Sequence, residues 1–203
     1  MRLLATTIVA LFLSGCALTV DKIDVPYQSA GAPAPVAGAA ADTVAIAATD
    51  GRTTYRDRVG TKKNGYGMEM AAIVATNDIP QTVADAIRQN LAAQGYQIGA
   101  DHARVGVEVV QFYNDFKMGF FSGDATAQVA LMVKVTNPAG VVVYSKYYAA
   151  TGTEPNIMMA SGSNARAALI AALRNAVAAV IGDPQLQDAL RAAQSVATAA
   201  KTS

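Results

Sequence analysis

Hydrophobic and polar positions fall into clear periods from residue 43 onward. Thr43 to Ala48 is a short apolar run that Asp50-Gly51 ends with turn chemistry, as expected of a buried strand. Thr53–Thr61 and Gly67–Ala75 read as the arms of a hairpin, with Asn64-Gly65, a favoured type I′ pair, at the tip. The clearest helix follows. Ile79, Val83, Ile87 and Leu91 repeat every four residues, Asn77 or Asp78 caps the start, Pro80 sits in the first turn, and Gly95 supplies the C-terminal residue.

The next three runs alternate with period two. Ala103–Phe112 carries Val105, Val107 and Val109 on one face. Ala125–Thr136 sets Ala127, Val129, Leu131, Val133 and Val135 against Gln128, Lys134 and Thr136. Asn137-Pro138-Ala139-Gly140 turns the chain into Val141–Ala150, so these runs predict an antiparallel meander. A second helix is expected over Asn164–Gly182, with Ala165, Leu169, Leu173, Val177 and Ile181 as its stripe and Ser163 or Asn164 as its cap. Asp183 is then placed to cap a last, Ala-rich helix from Pro184 to about Ala199, apolar through Leu186, Leu190 and Val196. This order predicts an α+β two-layer sandwich: a mainly antiparallel sheet with helices packed on one face.

The first forty residues lack these periods. Met1-Arg2 is a basic start, and Leu3–Leu13 is an apolar run broken only by Thr6 and Thr7. It is too short for a transmembrane helix, which needs about 20 residues, and has the length of a signal-peptide core. Leu13-Ser14-Gly15-Cys16 follows, ending at the single cysteine of the chain. This tetrapeptide resembles the bacterial lipobox at all four positions. The resemblance implies cleavage before Cys16, with a diacylglyceryl thioether on its sulfur and an N-acyl chain on its amine. Two or more acyl chains give stable anchoring where one does not. The following residue is Ala17 rather than Asp, which by the sorting rule of Gram-negative lipoproteins implies the periplasmic side of the outer membrane.

The expected organisation is therefore a signal peptide at 1–15, a lipidated cysteine with a flexible Pro/Ala-rich tether at 16–41, and one α+β domain at 42–203. The tether reading rests on Pro26, Pro33 and Pro35 among Ala, Gly and Ser, a composition that buries too little to offset its ordering entropy.

Composition narrows the function. A net charge of +1 offers no bulk attraction to nucleic acid or an anionic surface. One cysteine excludes an internal disulfide, and His102, beside Asp101, is the only histidine. A metal site needs several converging ligands and a general base needs a nucleophile to serve. No phosphate loop, G-x-S-x-G or paired Cys/His spacing occurs, so the chain is read as non-enzymatic, without cofactor beyond the acyl chains on Cys16.

Phe112–Phe121 is the most unusual stretch. Phe112, Phe116, Met118, Phe120 and Phe121 crowd a segment expected to join two strands, where polar residues are the rule. As an exposed loop they would form an interaction patch for a protein, a bilayer surface or a lipid. Folded over the sheet edge they would be core. Arg52, Arg56, Arg58, Lys62 and Lys63 outnumber Asp57 around the first hairpin. They would serve as a headgroup-binding patch or as the charges of a protected edge strand. Met158-Met159 precedes the second helix, as a soft contact or as helix-start packing.

The lipobox, the helix ending Leu91-Ala92-Ala93-Gln94-Gly95-Tyr96, the strand through Val105–Val109, the meander Ala125–Tyr148 and the Asn164–Gly182 helix together resemble the YajG-like family of uncharacterised bacterial lipoproteins. The resemblance covers most of the chain after the signal peptide and implies no catalytic residues. It leads to the expectation of an accessory module in envelope assembly or maintenance, held by its lipid anchor and joined to an envelope protein partner, with no nucleic acid bound. The alternative is a lipid- or amphiphile-binding module with an apolar groove between sheet, long helix and Phe-rich segment.

Overall fold

The computed structural model describes residues 18–39, 43–99, 103–119 and 121–201, with side chains as far as Ala193. Its elements run β1 (Asp21–Ile23), β2 (Thr43–Asp50), β3 (Gly60–Lys63), β4 (Glu69–Ala75), α1 (Ile79–Ala93), β5 (Gln97–Ile98), β6 (Ala103–Met118), β7 (Gly123–Thr136), β8 (Val142–Ile157), α2 (Gly162–Ile181) and α3 (Pro184–Lys201). The strands form one eight-stranded sheet.

Strand β6 is its spine. β7 pairs antiparallel along one edge of β6 from Arg104 to Met118, and β8 pairs antiparallel with β7. The other edge of β6 is shared. β2 lies parallel to its first half, Val44–Asp50 against Ala103–Val109, and β3 meets its second half at Gly60↔Asn114. β4 pairs with β3, and β1 lies parallel to β4 outside it.

The sheet is therefore mixed and largely parallel, not the mainly antiparallel sandwich that the alternating runs predict. Four of the seven pairings among the described strands are parallel: β1–β4, β2–β5, β2–β6 and β3–β6. The chain leaves β4, crosses through α1 and returns beside β2 in the same direction, and such a crossover produces parallel neighbours. Only the β3–β4 hairpin and the β6–β7–β8 meander are antiparallel.

Residues 21–39 correct the expected tether. Asp21–Ile23 forms β1 against Ile73–Ala75. Beyond it, Val25 is fully buried, and its N–H and C=O pair with the Asn77 side-chain amide at 2.9 and 3.1 Å. Asn77 thus extends the ladder after the strand ends. Farther on, Val36 N–H donates to Gln94 O at 2.9 Å and Ala39 is buried. A few isolated apolar residues tie down a proline-rich segment that has no period of its own.

α1 forms as the pattern predicts. Asp78 caps it, its carboxylate accepting from Gln81 N–H at 2.8 Å, and Gly95 follows with φ of 105°, a conformation that glycine adopts without strain. Ile79, Val83, Ile87 and Leu91 are all buried. α2 starts earlier than its stripe suggests, because Ser161, rather than Ser163 or Asn164, accepts from Asn164 N–H. By length and composition α2 would cross a membrane, yet its apolar side is the centre of the core, with Ala165, Leu169, Leu173 and Val177 fully buried against the sheet.

At Gly152 on β8 the helix and sheet backbones nearly touch. A Cβ there would lie 2.3 Å from both Ala168 O and Ala172 N of α2. The alanines of α2 thus mark close packing, which leaves no room there for a groove between sheet and helix.

Candidate functional site

The Phe-rich stretch is strand rather than loop. β6 runs through it to Met118, and Phe112 and Phe116 are 1% and 3% exposed, inside the core. The physical reason lies at Val110. A bulge between Val109 and Gln111 inserts one residue, so the inward face passes from odd positions (Val105, Val107, Val109) to even ones (Phe112, Asn114, Phe116). The bulge falls where β2 gives way to β3. Period-two reading breaks there, which makes a continuous strand look like a strand plus a loop.

The expected patch is therefore divided. Phe112 and Phe116 are core, Met118 is half-buried at the strand end, and Phe121, in the turn into β7, is 83% exposed. Phe120, Asp101, His102, Cys16 and the lipobox residues Leu13, Ser14 and Gly15 lie outside the described residues.

Phe121 instead joins another group. Met70 of β4, Met118, and the exposed Met158 and Met159 before α2 line one open groove with it, of about 520 Å³. Tyr66 and Met68, also exposed, lie in the β3–β4 turn, whose Asn64 and Gly65 line the groove. That turn is held by the Asn64 carboxamide oxygen, which accepts from Tyr66 and Met68 N–H at 3.0 Å each, with Gly67 at positive φ. It is a wider loop than the two-residue type I′ turn expected at Asn64-Gly65. Thr19, near the start of the described chain, lines the same groove.

The basic residues do not form an open cationic patch. Arg52 is buried; it holds Asp50 through Nε and Nη2 at 2.9 Å each and donates to the carbonyls of Tyr55, Arg56 and Arg58. The Arg52 guanidinium holds the Asp50 carboxyl below its ordinary range. Arg56 donates to Asp50 O, Arg58 pairs with Asp57, Lys62 with Asp21 at 3.0 Å and Lys63 with Asp115 at 2.5 Å. β3 is an inner strand between β4 and β6, so edge protection does not account for Lys62 and Lys63, the two of these charges that lie on it.

A polar cluster that the sequence pattern does not announce closes α3 onto β8. Asp183 Oδ2 accepts from Lys146 Nζ at 2.7 Å, Tyr148 OH at 2.7 Å and Tyr144 OH at 2.9 Å, while Oδ1 accepts from Gln185 N–H at 2.9 Å. Burial pushes this carboxyl up, but the bonds from Lys146, Tyr148, the Gln185 N–H and Tyr144 outweigh it and hold it far below the usual carboxylate range. Burial and the bonds to Tyr144 and Asp183 push the Tyr148 phenol up. Asp183 is legible in sequence as a cap. Its tyrosine and lysine partners arrive from a distant strand, and only the tertiary structure brings them in.

The far end of α2 carries a second opening, a cleft of about 770 Å³. Its walls are the 29–37 segment, the ends of α1 and α2 and the start of α3, with Arg174, Asp188 and Arg191 among the charged groups. A buried network welds these ends: Gln187 Nε2 donates to Gln94 Oε1 at 3.0 Å and to Ile181 O at 3.2 Å, and Tyr96 OH donates to Gln187 Oε1 at 2.5 Å. Among the described residues no group of three or more His, Cys, Asp or Glu is placed to hold a metal ion.

A mixed, largely parallel sheet with three helices makes this a small α+β domain, and among the described residues no metal-binding cluster or other catalytic arrangement is found. The chain belongs to the Lipoprotein_16 family of uncharacterized lipoproteins, whose family model matches residues 31–191. No curated protein matches it in sequence. Among solved structures its fold is similar to protein XCC0632 from Xanthomonas campestris, with a TM-score of 0.55 and 14% identity over 79% of this chain and 92% of that one. Fainter likenesses are to protein CT253 from Chlamydia trachomatis (TM-score 0.40, 10% identity, 70% and 96% covered) and a minor lipoprotein from Acinetobacter baumannii (TM-score 0.39, 7% identity, 70% and 91% covered). At these identities the likenesses concern the fold alone.

Proposed function

We propose that the protein is a non-catalytic, lipid-anchored module of the bacterial envelope, YajG-like within its family. It is held on the periplasmic side of the outer membrane and works by binding an envelope protein. The observation that carries this reading is the disposition of the two openings along α2. The Met/Phe groove adjoins Ser161 at the start of the helix, and the charged-rim cleft adjoins Ala178 and Gly182 at its end. At 1.5 Å per residue these lie roughly 25–30 Å apart. A chain anchored through Cys16 is tethered near the first and presents the second to the periplasm. The cleft combines apolar walls with a few charged groups, the mixture common at protein-binding surfaces.

The test is in-cell photocrosslinking from Ala34, Ala178 and Asp188 around the cleft, with Gln128 on the polar sheet face as control. A discrete protein adduct from the cleft positions and none from Gln128 is the expected result. Normal levels of folded protein without an adduct at any cleft position would overturn the reading.

A further inference from the structure

We propose that the Met/Phe groove is a membrane-docking surface, which seats the domain against the bilayer that receives the acyl chains of Cys16. The proposal rests on the lipid-anchor part of the function above and adds an orientation to it. Its first support is covalent reach. Thr19 lines the groove, and Cys16 lies three residues before it. A fully extended chain advances at most about 3.6 Å per residue, so the anchored Cα lies within about 11 Å of Thr19 Cα. The acyl chains sit in the bilayer, so this end of the domain cannot move far from the headgroup layer.

The second support is the chemistry that this end presents. Phe121, Met158 and Met159 are 83%, 80% and 62% exposed, and Leu18 and Val20, which flank Thr19, are 63% and 55% exposed. Thr19, Phe121 and the Met158–Met159 pair line one groove, so the start of the described chain, the β6–β7 turn and the β8–α2 connection converge there. Left in water, such a surface is unfavourable in proportion to its area. Methionine adapts its shape to a soft partner, and Tyr66, 92% exposed and next in the chain to the groove-lining Gly65, has the amphipathic ring that suits a headgroup layer.

The third support is electrostatic. The charged groups that line the groove are paired: Asp21 with Lys62, and Lys63 with Asp115 just outside it. An anionic headgroup surface therefore meets balanced pairs rather than a bare acidic rim.

The test uses the full, lipidated chain in vesicles of phosphatidylethanolamine and phosphatidylglycerol. Cys16 carries the lipid, so a second cysteine introduced by Phe121→Cys, Met159→Cys or Ala178→Cys takes an environment-sensitive fluorophore alone. The expected result is blue-shifted emission at positions 121 and 159, quenched by nitroxide-bearing lipids, with emission at position 178 quenched only by aqueous iodide. Adding Phe121→Ser and Met158→Ser should cost the position 159 label its lipid quenching while the melting temperature holds. Chains that float with the vesicles yet show iodide quenching at 121 and 159 equal to that at 178 would overturn the docking proposal and leave the anchor intact. Shielding of 121 and 159 from both quenchers, rising with protein density, would assign the groove to a second copy and overturn it too. Chains that fail to float would overturn the anchor, and the docking proposal with it.

Discussion

Gly152 is where one methyl group should tell most about how the domain is held together. Gly152→Ala places a Cβ 2.3 Å from Ala168 O and Ala172 N, both backbone atoms of α2. A comfortable contact is about 3.5 Å, so helix or strand must give by roughly 1 Å. No flexible side chain stands in between to absorb the shift. Moving α2 outward withdraws Ala165, Leu169, Leu173 and Val177 from the sheet, where all four are fully buried. A gap of 0.5–1 Å forfeits about a quarter to a half of each dispersion contact. Overpacking costs typically 1–3 kcal/mol, and the backbone contact puts this substitution at the upper end, about 3 kcal/mol. In a domain of this size each kcal/mol lowers the melting temperature by about 2–4 °C, so the expected fall is roughly 6–12 °C. Thermal and urea unfolding followed by circular dichroism provide the assay. Gly106→Ala is the control, because Gly106 lies in the same sheet and its Cβ would meet nothing within 4 Å. A Gly152→Ala melting temperature within about 2 °C of wild type, with the control equally silent, would refute the close-packing argument.

Three further outcomes are expected. Asp183→Ala should destabilise by about 3 kcal/mol, the low end for breaking a buried ion pair because Lys146 is half-exposed, and urea midpoints would show it. The folded-state carboxyl of Asp183 titrates below its unfolded value near 3.9, so its contribution is complete above that value and is lost as pH falls below it toward the folded value; the variant should flatten the acid limb of the stability profile, and an unchanged limb would count against the network. Asn114 is fully buried and its side-chain amide has no hydrogen-bond partner among the described residues, so Asn114→Val should stabilise by about 1 kcal/mol, and a lowered melting temperature would contradict this. Cys16→Ser should release the protein from the membrane fraction or leave it unprocessed, as fractionation and mass spectrometry would show, and a processed, membrane-bound variant would remove the lipid anchor from the account.

Local chemistry made much of the chain legible without coordinates. The Asp78 cap, Pro80 and Gly95 delimit α1 because helix ends have fixed backbone needs that few residues meet. The inward valines of β7 alternate without interruption, and Asp183 announces α3 as a cap. Tertiary structure decided what depends on neighbours. Alternation identifies a strand but carries no direction, so the parallel placement of β2 beside β6 and of β1 beside β4 had no local sign. The Val110 bulge reversed the parity of β6 and turned Phe112 and Phe116 from an apparent loop into core. Composition marked the proline-rich segment as a tether, whereas β4 and Asn77 supply the partners that hold Ile23 and Val25. The groove unites Met70, Met118, Phe121, Met158 and Met159, residues that no spacing along the chain connects. Sequence periodicity reports which face of an element is apolar, whereas a site at the end of a sheet is made by which turns the topology brings together.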